Sequence, residues 1–490
     1  MVCNCDVLVV GAGVVGCAVA RELARYKLNV AVAEKNNDLF GGTSARNSGV
    51  LHAGFNNTPG TLMAKLCVEG NAGFDKVAEE LDIPLKRTGK IVVGFDEEDR
   101  KRLIALKEQG EKNGVPGLSM IDHDEVKKLA PCVEGEFALF SASTAILDPF
   151  QYVLALAENA VKNGVEFFFS HPVTAIEKLS GEEANWSVTF GEDTMRCRWI
   201  VNAAGLFADK ISDMLGKTGY TIYPCRGEYF ILDKRLGDML PLPAYPVPNI
   251  RTGGLGIHLT PTSDGNVLIG PSTEYIDDRG DYSATRKTMD MLVEDGSRIF
   301  PHIKREHYIR NFSGIRPKLT GPDKGGYNDF VIEPLENAVN LVGIESPGLT
   351  ASVPIARMVV NMIGEKEKLV ENPDFDPIRR RFATFHDKDT QTRAEMIEKD
   401  PNYGEIICRC ETITKAEILN AIRGPLGAKT VTGVKYRCRS TMGRCQGGYC
   451  QTRITEMLMS ELGLTREEVL YAQEGSNMFT GRVIDDEDNQ

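Results

Sequence analysis

The stretch CDVLVVGAGVVGCAVARELARYKLNVAVAEK, Cys5 to Lys35, decides the fold of the first domain. It reads as an apolar strand, a glycine turn, a helix with Ala and Leu at helical spacing, and a second apolar strand, which is a βαβ unit. Within GAGVVG, Gly11 permits the tight turn, Gly13 lets the backbone approach a pyrophosphate, and Gly16 lets the helix pack closely on its strand. The second strand ends in Glu34, followed by Lys35, and the Glu34 carboxylate is placed to bind both hydroxyls of an adenosine ribose. A glycine pattern alone is weak; strand, turn, helix, strand and acid in this order read as a dinucleotide site. These residues leave FAD and NAD both open.

Working outward, the chain has 490 residues, too many for one core, and roughly 150 residues per domain predicts about three units. DPFQYVLALAENAVKNGVEFFF (148–169) reads as helix then strand, and WSVTFGEDTMRCRWIVNAAG (186–205) as a hairpin feeding a buried strand that ends at Gly205. Between Tyr220 and Asn311 short strands and turns predict a separate antiparallel sheet woven into the nucleotide domain. NAVNLVGIESPGLTASVPIARMVVNMI (337–363) returns to strand, loop and helix. The expected layout is a catalytic part over 1–364, with nucleotide-binding segments at about 1–80, 145–215 and 325–364 and substrate segments at about 81–144 and 216–324. A charged linker over 365–404, a small cysteine-bearing domain over 405–481 and a solvated acidic tail over 482–490 follow.

The formal charge of -12 argues against nucleic acid, whose binding needs a basic face. No apolar run is long enough to span a membrane, and the run Val7 to Val19 is broken by glycine and lacks the flanks of a signal peptide. The expectation is a cytoplasmic protein, with membrane association only through a partner. In a reducing compartment, 12 cysteines point to buried thiols and a metal site instead of a disulfide scaffold.

GGTSARNSGVLHAGFNNTPGTLMAKLCVEG (41–70) and NAAGLFADKI (202–211) resemble the glycine-oxidase and glycerol-phosphate-dehydrogenase type of FAD-dependent oxidoreductase, which implies FAD over NAD. The resemblance implies an α/β fold, α+β in part: a Rossmann-like FAD-binding domain with an interwoven antiparallel-sheet substrate domain. It places Thr43, Ser44, Asn47 and Ser48 at the pyrophosphate and ribityl, Val173 at the adenine, and the strand end at Ala204 and Gly205 beside the cofactor. The loop ESPGLT opens a helix, so the amides of Gly348, Leu349 and Thr350 are expected to face the flavin C2 carbonyl. Over residues 5–365, NSGVLHAG, AKLCVEG, NGVPGL, YPCRGEY, YPVP and GIHLTPTSDGNVLIGP resemble L-2-hydroxyglutarate dehydrogenases. FAD-dependent glycerol-3-phosphate dehydrogenases share the LHAG histidine and SGIRP.

Oxidising a secondary alcohol at a flavin needs a base for the hydroxyl proton and a cation for the anionic end of the substrate. His52, directly after the cofactor loop, and His258, in a strand of the substrate sheet, are the candidate bases; a lone histidine is otherwise a satisfied structural residue. Arg316 in GIRP matches the superfamily's arginine for a phosphate or carboxylate. Arg226 in CRGEY reads equally as a second anion clamp or as a structural ion pair. Lys318 is a weaker candidate.

Near the chain end, ICRCE carries Cys408 and Cys410, and MGRCQGGYC carries Cys445 and Cys450, with the predicted helix KAEILNAI between the pairs. Two pairs of thiolates on short loops suit iron-sulfur ligation better than a zinc ribbon. The segment resembles bacterioferritin-associated-ferredoxin domains, which implies a small helical domain with a 2Fe-2S cluster, as found fused to catalytic subunits of anaerobic glycerol-3-phosphate dehydrogenases. Cys438 is a fifth thiol where that pattern expects no ligand. The implied activity is a dehydrogenase for a small anionic secondary alcohol, with sn-glycerol 3-phosphate ahead of L-2-hydroxyglutarate, whose electrons leave through the cluster to a redox partner protein. An opine or imino-acid dehydrogenase subunit, and a flavoenzyme with a zinc-bound docking module, are the alternatives.

Overall fold

The computed structural model describes residues 2–180, 185–247 and 256–481. The acidic tail 482–490, Pro248 of YPVP and the side chain of Cys3 lie outside the described residues. The chain divides into two compact units, one of residues 1–35 and 42–379, the other of residues 36–41 and 380–490.

The first unit contains two large sheets. In the eight-stranded sheet, Val2–Val10 lies between Asp193–Asn202 and Val30–Ala33, all parallel, and Glu166–Phe168 extends the parallel set beyond Val30–Ala33. Ala338–Val342 adds a further parallel neighbour to Asp193–Asn202. These strands are apolar without alternation because the interior of a parallel sheet is covered on both faces: Val7, Leu8, Val9, Val30, Val32, Ile200 and Val201 are all buried. The helix Val14–Leu23 follows the first strand, and the long helix Gly348–Gly364 packs against it. The C-terminal ends of the parallel strands release Gly11, Glu34 and Ala203 at one edge, the edge where ligands bind in open parallel sheets.

The nine-stranded sheet draws on residues 90–141 and 223–318, so it is built from two separated parts of the chain. Its backbone is the long antiparallel pair Tyr223–Leu232 with Tyr308–Lys318. It is not purely antiparallel as the sequence suggests, because Ala244–Pro246 joins Lys90–Gly94 in parallel across the gap between the two parts. Its core holds Ile91, Val93, Leu232, Leu259, Ile269 and Phe300.

Residues 365–404, expected as a linker, are divided between the units. Asn372 N donates to Arg25 O (2.7 Å) and Arg379 N to Glu80 O (2.9 Å), which ties the first half to the first unit. The second half forms the helix Thr390–Lys399 and belongs to the second unit. That unit is a small helical body: Lys415–Arg423, Val431–Cys438 and Gln451–Leu462 enclose Ile418, Val434 and Ile454, beside the two-stranded Ile406–Cys408 and Ile413–Thr414.

Candidate active site and cofactor sites

The glycine turn is built as the sequence requires. Gly11 has φ +105°, and a Cβ there would stand 2.6 Å from Ala203 O; a Cβ on Gly16 would stand 1.9 Å from Gly11 O. Neither position admits a side chain. Gly13 sits before the helix Val14–Leu23, which has no side-chain cap of its own, and a Cβ there would crowd Ser44 Oγ at 3.2 Å. The cradle therefore fits a pyrophosphate approached by backbone. Glu34 Oε2 accepts from Ala12 N at 2.9 Å, which fixes the carboxylate at the turn. Lys35 instead lies over the Phe207 ring at 3.8 Å, and partial desolvation of its ammonium lowers its pKa although the residue is exposed overall.

Ser44 Oγ accepts from Val14 N at 2.9 Å, and Thr43 Oγ1 donates to Ile315 O at 2.7 Å. Asn47 folds the loop on itself: its Nδ2 donates to Ser44 O (2.7 Å) and its Oδ1 accepts from Gly49 N (2.8 Å). Ser48 lies beside Tyr229 of the substrate sheet and lowers the pKa that burial raises there. Val173 is partly buried against the nucleotide sheet, and Ala204 N donates to Asn202 Oδ1 at 3.2 Å just before Gly205. At ESPGLT the Gly348 amide is spent inside the loop, donating to Glu345 O at 2.6 Å, so it is not the free donor that the sequence suggests. Thr350 Oγ1 accepts from His52 N at 3.0 Å.

That last bond begins the fixation of His52. Its carbonyl accepts from Asn71 Nδ2 (3.0 Å) and Cys67 Sγ (3.4 Å), so side chains from Leu62–Ala72 and Gly348–Gly364 hold this backbone from two directions. His52 Nε2 stands 3.5 Å from Ser346 Oγ. Both line a pocket with Phe55, Asn56, Lys90 and Tyr327. Burial, and then the nearby Lys90 ammonium, push the His52 pKa down to about 3, so the imidazole is neutral at physiological pH, with its ring nitrogen lone pair free of a proton. His258 does not line this pocket: it is buried with its ring stacked on Tyr245 at 3.4 Å and 9°.

The two arginines separate clearly. Arg226 is engaged by Asp281 (2.6 Å), Glu274 (2.7 Å) and Glu228 (3.5 Å), which is the ion-pair arrangement. Arg316 donates to Ser272 O and, at 3.4 Å, to Thr273 Oγ1, and forms no ion pair with a carboxylate among the described residues. Gly227 makes room for it, since a Cβ there would fall 2.6 Å from Arg316 Nη2. Lys318 is neutralised by Glu345 at 2.9 Å in a fully buried pair. Lys90, Tyr327 and Ser346 are the pocket residues that the sequence reading missed. A lysine opening the apolar strand KIVVG was the one available signal.

In the second unit the thiols meet in two pairs, Cys408 with Cys450 and Cys410 with Cys445. Among the described residues no three His, Cys, Asp or Glu side chains form a single metal-binding group. Cys408 and Cys450 are buried, Cys410 and Cys445 exposed. The neighbouring Cys450 thiol holds the Cys408 thiol down at about 6. Cys445 is lowered as well, while their partners Cys450 and Cys410 are raised, so each pair holds one thiol that ionises first, and four thiols gathered in two pairs suit iron-sulfur ligation. Cys438 is turned away into its own helix, donating to Val434 O at 3.2 Å, and burial pushes it up to about 12.

Comparison with known proteins agrees with both halves. The family described as FAD dependent oxidoreductase matches residues 6–362, and the BFD-like [2Fe-2S] binding domain matches residues 406–460. Glycerol 3-phosphate dehydrogenase of Caloramator mitchellensis is 39% identical over 482 residues, covering 97% of this chain and 98% of its own. Mitochondrial L-2-hydroxyglutarate dehydrogenase of Nematostella vectensis is 31% identical, covering 74% of this chain and 91% of its own. The FAD-bound, dithionite-reduced L-alpha-glycerophosphate oxidase of Mycoplasma pneumoniae superposes with a TM-score of 0.71 at 29% identity, covering 77% of this chain and 98% of its own. No helix among the described residues is long and apolar enough to cross a membrane. The chain belongs to the FAD dependent oxidoreductase family and carries a BFD-like [2Fe-2S] domain, so its cofactors are FAD and a [2Fe-2S] cluster.

Proposed function

We propose that this chain oxidises sn-glycerol 3-phosphate to dihydroxyacetone phosphate and delivers the electrons through its cluster to a partner protein. The observation that carries the reading is the likeness to the Caloramator mitchellensis glycerol 3-phosphate dehydrogenase, which runs through both units instead of stopping at the catalytic one. The bound FAD supplies a two-electron acceptor for the carbinol hydride, and the cluster a one-electron outlet. Gly11, Gly13, Gly16, Glu34, Ser44 and the amides of Leu349 and Thr350 hold the flavin nucleotide; Cys408, Cys410, Cys445 and Cys450 hold the cluster.

The chain's own residues divide the remaining work. Arg316, uncommitted to any described carboxylate, grips the phosphate through its planar fork. His52 takes the hydroxyl proton at Nε2; it is neutral before substrate arrives, and a bound anion raises its proton affinity. Ser346 and the held backbone keep the ring oriented. Tyr327 forms part of the wall.

A second reading, oxidation of L-2-hydroxyglutarate, is favoured by the 31% identity to the dehydrogenase of that name over the catalytic part. Anaerobic mixing of the FAD-loaded protein with each substrate decides between them by loss of the oxidised flavin's visible absorbance. Bleaching by sn-glycerol 3-phosphate at saturable concentration is expected. Bleaching by L-2-hydroxyglutarate alone moves the assignment to the second reading, and bleaching by amino or imino acids alone overturns both.

A further inference from the structure

Lys90 opens the strand Lys90–Gly94, yet its residue surface is only 1% exposed. Its ammonium lies between two aromatic faces, 4.4 Å from the Phe55 centroid and 4.2 Å from the Tyr245 centroid, and Tyr245 is itself backed by His258. No hydrogen bond or ion pair joins the Lys90 ammonium to any described residue, while its backbone pairs with Ser141 in the sheet. Ring faces attract a cation but give it no counter-charge, and a buried ammonium without one is costly. Lys318 shows the contrast: it is equally buried but carries its own carboxylate in Glu345.

Lys90 nevertheless lines the pocket that contains His52. The pocket's one carboxylate, Asp329, is occupied elsewhere, accepting from Leu62 N (2.7 Å) and Met63 N (2.8 Å) at the start of a helix. Asn56 on the same wall has a buried Oδ1 with no hydrogen-bond partner among the described residues. A fixed cation with no available anion describes half of an anion site, and the Asn56 oxygen is an acceptor open to a ligand's hydroxyl.

We propose that Lys90 is an oxyanion-binding subsite on the His52 side of the pocket, separate from the Arg316 clamp, which takes a carboxylate or phosphate-type oxygen of a small anionic ligand. The inference rests on the pocket being the substrate site of the proposed dehydrogenase, and it names a second anion contact there. It explains why the strand retains a lysine in an apolar wall. It also makes anion affinity dependent on the Lys90 proton. Burial holds Lys90 down at about 7, so its cationic form is lost as pH rises above neutrality. Of the titratable groups around it, His52 is pushed down to about 3, Cys67 and Tyr327 up to about 12, and Tyr245 is raised by burial, so these four hold their charge there; His258 stacks on Tyr245, and the Asp329 oxygens accept from backbone amides.

The test uses the FAD-loaded full chain and two unreactive anions that do not titrate between about pH 6 and 9, sulfate and glutarate, read by perturbation of the flavin spectrum and independent of turnover. For wild type, at least one anion binds and its affinity falls progressively, toward tenfold per pH unit above neutrality. Lys90→Arg keeps the affinity but loses that pH dependence, and Lys90→Met weakens binding at least tenfold at low pH with FAD content unchanged. Selective loss of sulfate assigns a phosphate-type oxygen to the subsite, and selective loss of glutarate a carboxylate. Unchanged affinity and pH profile in both variants, or no binding of either anion to wild type, overturns the proposal. Because neither anion is oxidised, failure here is separable from failure of glycerol 3-phosphate to bleach the flavin.

Discussion

Arg437 grips Asp38 through both terminal nitrogens, at 2.7 and 2.8 Å, joining positions 399 residues apart. Asp38 belongs to the loop 36–41 that follows the acid-tipped strand, and within the second unit that loop adds Phe40 against Tyr436 (5.1 Å) and Asn37 donating to Ala472 O (2.9 Å). The guanidinium is 3% exposed and the carboxylate 14%. Removing one partner leaves a buried charge uncompensated, so Asp38→Ala is expected to destabilise the second unit by about 3 kcal/mol. Thermal unfolding followed by release of cluster absorbance measures this; an unchanged transition would show that the pair contributes nothing net.

Glu34→Ala is expected to weaken FAD by ~1.5–3 kcal/mol, the range for charge-assisted hydrogen bonds. The variant also frees the Ala12 amide that Glu34 now engages at 2.9 Å. Flavin retained after dialysis reports the loss. Retention equal to wild type would remove Glu34 from the cofactor site.

Arg316→Ala should raise the substrate concentration for half-maximal flavin reduction by tenfold or more while FAD content holds, since the planar fork is lost and no described carboxylate depends on it. Arg226→Ala should do the reverse, lowering stability by several kcal/mol because Glu228, Glu274 and Asp281 lose a shared cation. Saturation kinetics alongside melting curves separate the two. Equal behaviour of the variants would contradict the division of roles.

Cys408, Cys410, Cys445 or Cys450 changed to Ser should remove iron and the cluster's visible absorbance while substrate still bleaches the flavin, because an oxygen ligand replaces a soft thiolate. Cys438→Ser should keep its iron, its thiol being committed to Val434 O. Iron analysis of anaerobically prepared protein decides this. Zinc in place of iron in wild type would revive the docking-module alternative.

Lys90→Met should stabilise the fold by ~1–3 kcal/mol near neutral pH, as an apolar side chain of similar length avoids burying an ammonium. The folded protein holds Lys90 down at about 7 against an ordinary value of 10.5, so between those values the unfolded chain binds the proton that the folded chain releases. Wild-type stability therefore gains on that of the variant as pH rises from 7 toward 10.5, and the advantage of the variant shrinks. A pH-independent difference between the two would place the Lys90 proton outside the folding equilibrium.

Much of this protein was legible in one dimension because its constraints are local. Gly11 and Gly16 can be nothing else where backbone oxygens stand within 2.6 and 1.9 Å of the absent Cβ, and local sterics write themselves as glycine spacing. The unalternating apolar strands follow from a parallel sheet covered on both faces. Cys408 with Cys410, and Cys445 with Cys450, each lie within a few residues in sequence, so a cysteine-bearing domain was visible from spacing, whereas the fold re-pairs them as Cys408 with Cys450 and Cys410 with Cys445.

Tertiary structure decided what depends on partners distant in the chain. Arg226 and Arg316 are both arginines in glycine-containing strand segments, and only the carboxylates brought to Arg226 from positions 274 and 281 distinguish its ion pairs from the carbonyl and hydroxyl contacts of Arg316. His52 and His258 were equivalent as lone histidines until Tyr245 stacked over one and the pocket opened on the other. Lys90 read as a strand's polar first residue, because its burial comes from Phe55 and Tyr245, which lie in other parts of the sequence. Burial and charge compensation are sums over neighbours in space, and no local pattern encodes them.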